Sequence, residues 1–207
     1  MIRVHVLAVR YLNNCAPSLC RALGAPPELR SLGILTTDCD DATYIALDEA
    51  TKAAEVEVIY GGSFYGGASN ASTPNAGEVI GILAGSTPGA VKSGMEAALR
   101  TLGSLGFQNV KGIPCLSHTV SSVGSFLSKE AGVPVGSALA YLIAPPLEAM
   151  YAMDGALKSA DVELKKLYVP PTQTNFGGGL LSGTQSACET AAEAFLQAVE
   201  EVAERPL

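Results

Sequence analysis

Three aspartates lie within four positions at the junction between a predicted strand and a predicted helix: Asp38, Asp40 and Asp41. Carboxylates at such a junction accept hydrogen bonds from free backbone N–H groups and interact favourably with the helix dipole. Three carboxylates exceed what one helix cap requires, and Glu78 begins a neighbouring predicted strand. Two interpretations are therefore open: helix capping alone, or a site for a cationic or hydroxylated small molecule.

Residue types that usually carry catalysis or bind metals are sparse elsewhere. His5 and His118 have no His, Asp or Glu at the spacing of a zinc site, and the sequence contains no dinucleotide-binding, P-loop or G-x-S-x-G motif. The turn ending in Thr87 has the composition of an ordinary helix N-cap. We therefore expect no enzyme activity, no cofactor and no metal. The cysteines form no C-x-x-C pair and are predicted to be reduced and buried: Cys15, Cys20, Cys39, Cys115 and Cys188.

The composition excludes several classes of partner. The chain has 207 residues, 48% of them apolar, and 13 Lys plus Arg against 20 Asp plus Glu, for a net charge of −7. Such a chain can bury a core, but it lacks the basic surface that nucleic acids or anionic membranes require. Neither a spanning segment nor an export signal is apparent, so we expect a cytoplasmic protein.

The sequence contains an internal duplication. Residues 46–57 match residues 152–163 at seven of twelve positions, with an offset of 106, and Asp48 matches Asp154. Further on, residues 81–85 resemble residues 179–183 with an offset of 98. The second copy therefore has a connection eight residues shorter.

Strands and helices alternate in each copy, and the periodicity predicts two tandem α/β domains, each a sandwich layer with a sheet of about four strands. The first domain is placed at residues 1–104 and the second at 105–207. The predicted strands are residues 2–12, 32–36, 56–60, 78–83, 139–143, 162–169 and 178–182. The predicted helices are residues 16–24, 40–54, 88–102, 123–131 and 145–160, and a last helix that ends before Pro206.

Two segments are polar and rich in glycine, residues 60–75 and residues 170–179, and they occupy equivalent places in the two copies. Long loops inside compact domains are usually functional or disordered. A flexible connection is one interpretation. Repetition at the same point of the fold favours a shared role instead, such as lining a channel.

Four long stretches of this sequence resemble the tandem-domain shell proteins of bacterial microcompartments, most closely those of ethanolamine- and ethanol-utilization compartments. They are residues 30–60, 77–85, 140–163 and 174–188. The resemblance implies two circularly permuted, ferredoxin-like shell domains in each chain. It also implies a flat pseudohexagonal homotrimer that tiles with other shell proteins and passes small polar metabolites. A small-molecule-sensing module on a duplicated α/β domain is the alternative.

The resemblance also implies two kinds of pore. A small pore within each subunit corresponds to Asp40, Asp41, Glu78 and Phe107, where carboxylates could surround an ammonium group. Departures between Phe107 and His118, and at residues 121–124, leave open whether an ethanolamine or an ethanol- or aldehyde-type compartment is served. A central, loop-gated pore corresponds to Gly61, Gly62, Ser63, Phe64, Tyr65, Gly66, Gly67, Thr174, Asn175, Phe176 and Gly177.

Overall fold

Ten strands and six helices are found in the computed structural model, which describes residues 1–64, 73–170 and 172–207. In chain order they are β1 (Ile2–Arg3), β2 (Val6–Leu12), α1 (Pro17–Ala22), β3 (Ser31–Thr37), α2 (Asp40–Ala53), β4 (Val56–Ser63), β5 (Val79–Gly85), α3 (Pro88–Ser104), β6 (Gly106–Val110), β7 (Ile113–Val120), α4 (Ser125–Ala131), β8 (Ala138–Ala144), α5 (Pro146–Ser159), β9 (Val162–Tyr168), β10 (Gly177–Gly183) and α6 (Gln185–Glu204).

These elements form two units that exchange short segments. The first unit contains Val4–Leu105 and also Gly124–Leu127, from later in the chain. The second contains Gly106–Val123 and Ser128–Leu207, together with Met1–Arg3 from the start of the chain. The division into shell domains at residues 104 and 105 stays a prediction.

Each unit has one antiparallel sheet with helices packed on it. The strand order is β2-β3-β5-β4 in the first unit and β1-β6-β7-β8-β10-β9 in the second. In the first unit α2 and α3 pack on each other and on the sheet, and in the second unit α5 and α6 do the same. Alanines on α2 and α5 are fully buried and permit this close packing: Ala42, Ala46, Ala50, Ala149, Ala152 and Ala156.

The duplication extends to an irregularity of the sheets. The pairing of β4 with β5 shifts register between Val58 and Tyr60. The pairing of β9 with β10 shifts register at the equivalent place, between Leu164 and Lys166. A β-bulge that recurs at an offset of 106 supports the alignment of the two copies residue by residue.

One strand prediction was wrong. The predicted strand at residues 2–12 is two strands in different units: β1 pairs with β6, and β2 pairs with β3. The break falls at His5, whose backbone N–H donates to Asp38 Oδ1 at 2.7 Å. This N–H bonds to a side chain instead of a neighbouring strand, so the ladder is interrupted there.

A hairpin in the second unit was not predicted. β6 and β7 pair through a two-residue turn in which Lys111 has a φ of 50° and Gly112 a φ of 95°. Two central residues with positive φ are typical of a type I′ hairpin turn. Lys-Gly is a weaker sequence signal for this turn than Asn-Gly or Asp-Gly, and a proline such as Pro114 is unfavourable within a strand. With this hairpin and β1, the second sheet has six strands instead of about four.

Candidate functional site

Two of the predicted ligand-binding carboxylates lie in the first turn of α2. Asp40 and Asp41 are the first two residues of the helix, and they are only 8% and 7% exposed. The N-cap residue is Cys39, whose side chain makes no capping hydrogen bond. Asp40 Oδ1 accepts a hydrogen bond from the backbone N–H of Asp41 at 2.9 Å. Asp40 thus accepts from a free N–H of the first turn, as helix capping predicts, and both carboxylates are buried, so the two interpretations of this cluster stay open.

Glu78 lies beside these aspartates, immediately before β5. Its backbone N–H donates to the carbonyl oxygen of Thr37 at 2.8 Å, which fixes the strand next to the end of β3. Burial, and to a smaller extent the nearby charges of Asp40 and Asp38, raise the pKa of Glu78 to about 7. The fold thus brings together three of the four residues predicted for the small pore.

We define Asp38, Asp40, Asp41 and Glu78 as the acidic site, and burial is the largest cause of the pKa shifts of Asp40 and Glu78 within it. It raises the pKa of Asp40, while hydrogen bonds from Ser63 and from the Asp41 N–H act in the opposite direction. It also raises the pKa of the Cys39 thiol, and the charge of Asp41 adds to that effect. Buried and half-buried carboxylates that lie close together favour binding of a proton or another cation.

Two further residues belong to the site: Tyr44, which was not predicted, and Ser63, which was predicted for the central pore instead. Tyr44 Oη and Ser63 Oγ are hydrogen-bonded at 2.7 Å, and Ser63 also bonds the Asp40 carboxylate. Burial raises the pKa of Tyr44 to about 12, so the phenol stays protonated and can donate. The sequence held a signal for Tyr44, because residues four apart on a helix share a face and Asp40 lies one turn before it.

Phe107, the fourth predicted small-pore residue, lies on β6 in the second unit. Its ring packs edge-to-face on Phe176, with the centroids 5.5 Å apart and the planes at 73°. Two residues predicted for different pores are therefore neighbours. The grouping of Phe107 with the carboxylates stays a prediction.

The first predicted central-pore segment begins as a strand. Gly61, Gly62 and Ser63 were expected in a loop, but they continue β4 and pair with β5. A Cβ on Gly61 would lie 3.3 Å from both Phe126 Cζ and Tyr44 Cε1, so the glycine lets the strand lie under two aromatic rings. Phe64 follows, and its N–H donates to the Glu78 carbonyl oxygen at 2.9 Å. Tyr65, Gly66 and Gly67 lie outside the described residues.

The second predicted central-pore segment is a turn that leads into β10. Asn175 has a φ of 62°, a left-handed conformation that asparagine tolerates better than most residues. Phe176 O accepts a hydrogen bond from Thr172 Oγ1 at 2.7 Å, and Gly177 opens β10 opposite Ala144. Thr174 lies within the turn. The role of both segments in a pore stays a prediction.

The other residues considered for chemistry are His5 and the five cysteines. His5 Nδ1 lies 2.6 Å from Asp38 Oδ2 on the surface. All five cysteines are free, and four of them are buried, with Cys39 half-buried. Across residues 1–64, 73–170 and 172–207, no cluster of three His, Cys, Asp or Glu side chains could hold a metal ion. Nor does any helix in that part of the chain have the length and apolarity needed to cross a membrane.

Comparison with known sequences gives the family. Residues 31–114 match the BMC domain. The chain is 54% identical to the bacterial microcompartment shell protein EutL of Clostridium perfringens (strain 13 / Type A), over all of this chain and 97% of that protein. It is 45% identical to the EutL shell protein of Escherichia coli (strain K12), over all of this chain and 96% of that one.

Comparison with solved structures agrees. The crystal structure of the ethanolamine utilization protein EutL from Leptotrichia buccalis C-1013-b superposes with a TM-score of 0.97, at 57% identity, covering all of this chain and 97% of the other. EtuB from Clostridium kluyveri superposes with a TM-score of 0.78 at 22% identity, covering 94% and 86%, and that likeness shows the fold alone.

These matches confirm the predicted resemblance, the tandem shell-domain fold and the predicted place in a microcompartment shell. Relatives this similar carry the name of shell proteins, and their role is structural. The chain therefore belongs to the tandem-domain shell proteins of bacterial microcompartments and is a structural component rather than an enzyme.

Proposed function

We infer that three copies of this chain form a flat pseudohexagonal trimer that tiles with other shell proteins into a facet. The observation that carries the proposal is the duplicated unit, because three chains with two similar domains each can imitate a hexagon. The full-length match to shell proteins supports it. A ring closes through one heterologous interface repeated three times.

Negative-stain electron microscopy of the purified protein tests the tiling. Particles with hexagon-like outlines, or extended two-dimensional sheets, are the expected result. The proposal would be contradicted if, at all protein concentrations, the images showed only small particles with neither a hexagonal outline nor lateral order.

We propose further that the central opening is bordered by residues 61–67 and 174–177 and is gated by movement of these loops. The equivalent placement of the two segments in the two copies supports this. Shells assembled from variants with these loops shortened should be more permeable to small polar metabolites than intact shells. Equal permeability would show that the loops do not gate the opening.

The acidic site is proposed to take a small cation such as ethanolamine, and the compartment to be of the ethanolamine type. Relatives at 54% and 57% identity carry the EutL name, which supports this compartment over an ethanol- or aldehyde-type one. The buried carboxylates of Asp40 and Asp41, beside Glu78, supply negative charge where an ammonium group would need it.

Titration calorimetry tests the binding proposal. Asp41→Asn removes one charge with little change of shape, and it should weaken ethanolamine binding about tenfold or more. Glu49→Gln is the matched control, because Glu49 is a more exposed carboxylate on the same helix, paired with Lys52. Ethanol, which lacks the ammonium, should bind far more weakly. Unchanged ethanolamine affinity in Asp41→Asn would contradict the assignment of the acidic site as its binding site.

A further inference from the structure

Two cysteines of the first unit lie side by side in its core. Cys15 and Cys20 are each 3% exposed, and both belong to the same apolar cluster as Leu32, Ile82 and Ala84. A hydrogen bond links the two thiols. Cys15 immediately precedes the N-cap of α1 and Cys20 is the fourth residue of this helix, two positions whose side chains commonly pack on each other. Local geometry and tertiary packing therefore both make these thiols neighbours.

The backbone of Cys15 is fixed by Arg30, which immediately precedes β3. The Cys15 N–H donates to the Arg30 carbonyl oxygen at 2.8 Å. The Cys15 carbonyl oxygen accepts hydrogen bonds from Nε and Nη2 of Arg30 at 3.4 and 3.1 Å. Burial is the largest cause that raises the pKa of the Cys15 thiol, the hydrogen bond with Cys20 adds to it, and the charge of Arg30 acts in the opposite direction. The pair therefore rests as two protonated thiols.

Cys20 lies on an element that is held less firmly. In α1, which the structure describes in full, Cys20 is the one buried residue. The N-cap residue, Ala16, makes no side-chain hydrogen bond. A helix of six residues is not stable without tertiary contacts, and segments with few buried contacts open locally at low free-energy cost. Within α1, the packing of the Cys20 side chain is therefore what holds the helix on the sheet.

The second copy shows that this part of the fold does not require thiols. α1 and α4 begin at an offset of 108. In both, the residue five positions after the fourth helical residue donates its N–H to the carbonyl oxygen of that residue, at 2.9 and 3.1 Å. This offset matches Cys15 with Val123 and Cys20 with Ser128. Val123 is fully buried, and Ser128 Oγ donates to a backbone carbonyl oxygen at 2.6 Å. Two adjacent thiols thus add a capacity that packing does not need, the formation of a disulfide.

We propose that Cys15 and Cys20 form a redox latch, in which hydrogen peroxide converts the thiol pair into an intrachain disulfide that holds α1 on the sheet. One sulfur attacks a peroxide oxygen and breaks the O–O bond, which gives a sulfenic acid and one water. The other sulfur then attacks the sulfenic sulfur, forms the S–S bond and releases a second water. The two sulfurs lose two electrons and the peroxide gains them, and a dithiol reductant reverses the change.

Peptide mapping of the full chain tests the disulfide. Trypsin cleaves after Arg10 and Arg21, so both cysteines lie in one peptide, residues 11–21. After treatment with hydrogen peroxide, unfolding and alkylation with iodoacetamide, this peptide should carry no alkyl group and be lighter by two hydrogen atoms than the dithiol form. Dithiothreitol before alkylation should restore two alkyl groups. Two alkyl groups without dithiothreitol, or two separate sulfonic acids, would overturn the proposal.

The other pair of buried cysteines in one cluster is the matched control. Cys115 on β7 and Cys188 on α6 are fully buried in the apolar cluster of the second unit. Burial is the cause that raises the pKa of Cys115, to about 11. Each should still take one alkyl group after the same peroxide treatment. A disulfide between Cys115 and Cys188 that forms as fast as the one in residues 11–21 would overturn the special role of adjacent thiols.

Hydrogen exchange tests whether the disulfide holds the helix. The N–H groups of Leu23 and Ala25 donate to the carbonyl oxygens of Leu19 and Cys20 at 3.0 and 2.9 Å. Their exchange should slow at least about tenfold in the disulfide form, because α1 can no longer move away from the sheet freely. Exchange of Val133, which makes the equivalent bond in the second copy, should not change. Equal exchange of Ala25 in the two forms would overturn the latch.

A variant with the residues of the second copy completes the test. Cys15→Val/Cys20→Ser should fold, and its exchange at Ala25 should be the same with and without peroxide. The single variant Cys20→Ser gives the same test with one change. If peroxide slows exchange in either variant as much as in the wild-type protein, another group causes the effect and the latch is overturned. Either result leaves the proposed shell function untouched.

Discussion

The two copies of the duplicated unit differ most clearly at the place where α2 and α5 begin beside β5 and β10. The first copy carries Asp40, Asp41 and Glu78 there, and the second carries Pro146, Leu147 and Phe176. The helices have the same length and the strands the same register, so the frame was kept while the side chains diverged. Charge has been concentrated in one copy, which is how a duplicated scaffold gains a binding site without losing its fold.

The opposite case is a residue that both copies share but use differently. Asp48 is fully buried and holds two backbone N–H groups, whereas Asp154 lies on the surface beside a lysine. Identity at equivalent positions therefore does not imply an equivalent environment within one chain. Substitutions at selected positions of the two copies measure how far their environments differ.

Asp48→Ala should destabilise the protein most. It leaves the N–H groups of Gly124 and Leu127 buried without an acceptor, at about 3 kcal/mol of unfolding free energy in total. Urea denaturation at one protein concentration measures the loss. Glu49→Ala, one residue further along α2 but more exposed, should cost less than about 0.5 kcal/mol. Equal losses in the two variants would show that the Asp48 contacts contribute little.

Gly77 and Asn175 occupy equivalent positions with φ values of 69° and 62°. A Cβ on Gly77 would lie 2.2 Å from the Thr37 carbonyl oxygen, so Gly77→Ala must move backbone and should cost about 2 kcal/mol. Asn175 already carries a Cβ, and Asn175→Ala should cost about 1 kcal/mol or less. Thermal unfolding of the pair measures the difference, and a larger loss in Asn175→Ala would reverse this interpretation.

Glu78 makes the first copy sensitive to pH. Its pKa is raised from 4.5 to about 7, so the folded state holds a proton that the unfolded state releases. Stability should therefore decrease as the pH rises from about 4.5 to about 7. Cation affinity at the acidic site should rise over the same interval. Glu78→Gln should reduce the pH dependence of both the stability and the cation affinity between these pH values. If neither pH dependence changes in this variant, the titrating group is a different residue.

Gly61→Ala should have the smallest effect, about 0.5 to 1 kcal/mol. The added Cβ would lie 3.3 Å from the ends of the Phe126 and Tyr44 rings, and ring positions can adjust by a few tenths of an ångström. The counterpart of Gly61 is Leu167, a large side chain on β9. A loss of more than about 2 kcal/mol of unfolding free energy, measured by thermal unfolding, would show that the rings beside β4 cannot adjust to the added methyl group.

Much of the fold could be read from the sequence because the two copies reinforce each other. The alanine stripes of α2 and α5, and the strands after them, repeat at one offset. Each of these elements is therefore indicated by two similar stretches of sequence. Two of the errors fall where the copies cannot help: at His5, where a distant Asp38 carboxylate interrupts the strand, and at the Lys111–Gly112 turn. Both depend on a long-range bond or on backbone conformation.

The acidic site was only partly predictable. Asp40, Asp41 and Glu78 could be grouped from the sequence because the strand–helix junction places them close together. Ser63 could not, since it was assigned to a loop, and its position depends on the pairing of β4 with β5. The burial that raises the pKa of Glu78 is likewise a tertiary property, which no local pattern contains.

The native mass of the dissolved protein tests the shell account most directly. Light scattering after gel filtration should give about 64 kDa, three times the 21.2 kDa chain, over a wide range of protein concentration. A mass of one or two chains that stays constant as the concentration rises would contradict the trimeric tile. In that case the acidic site would remain as a ligand site on a duplicated α/β protein.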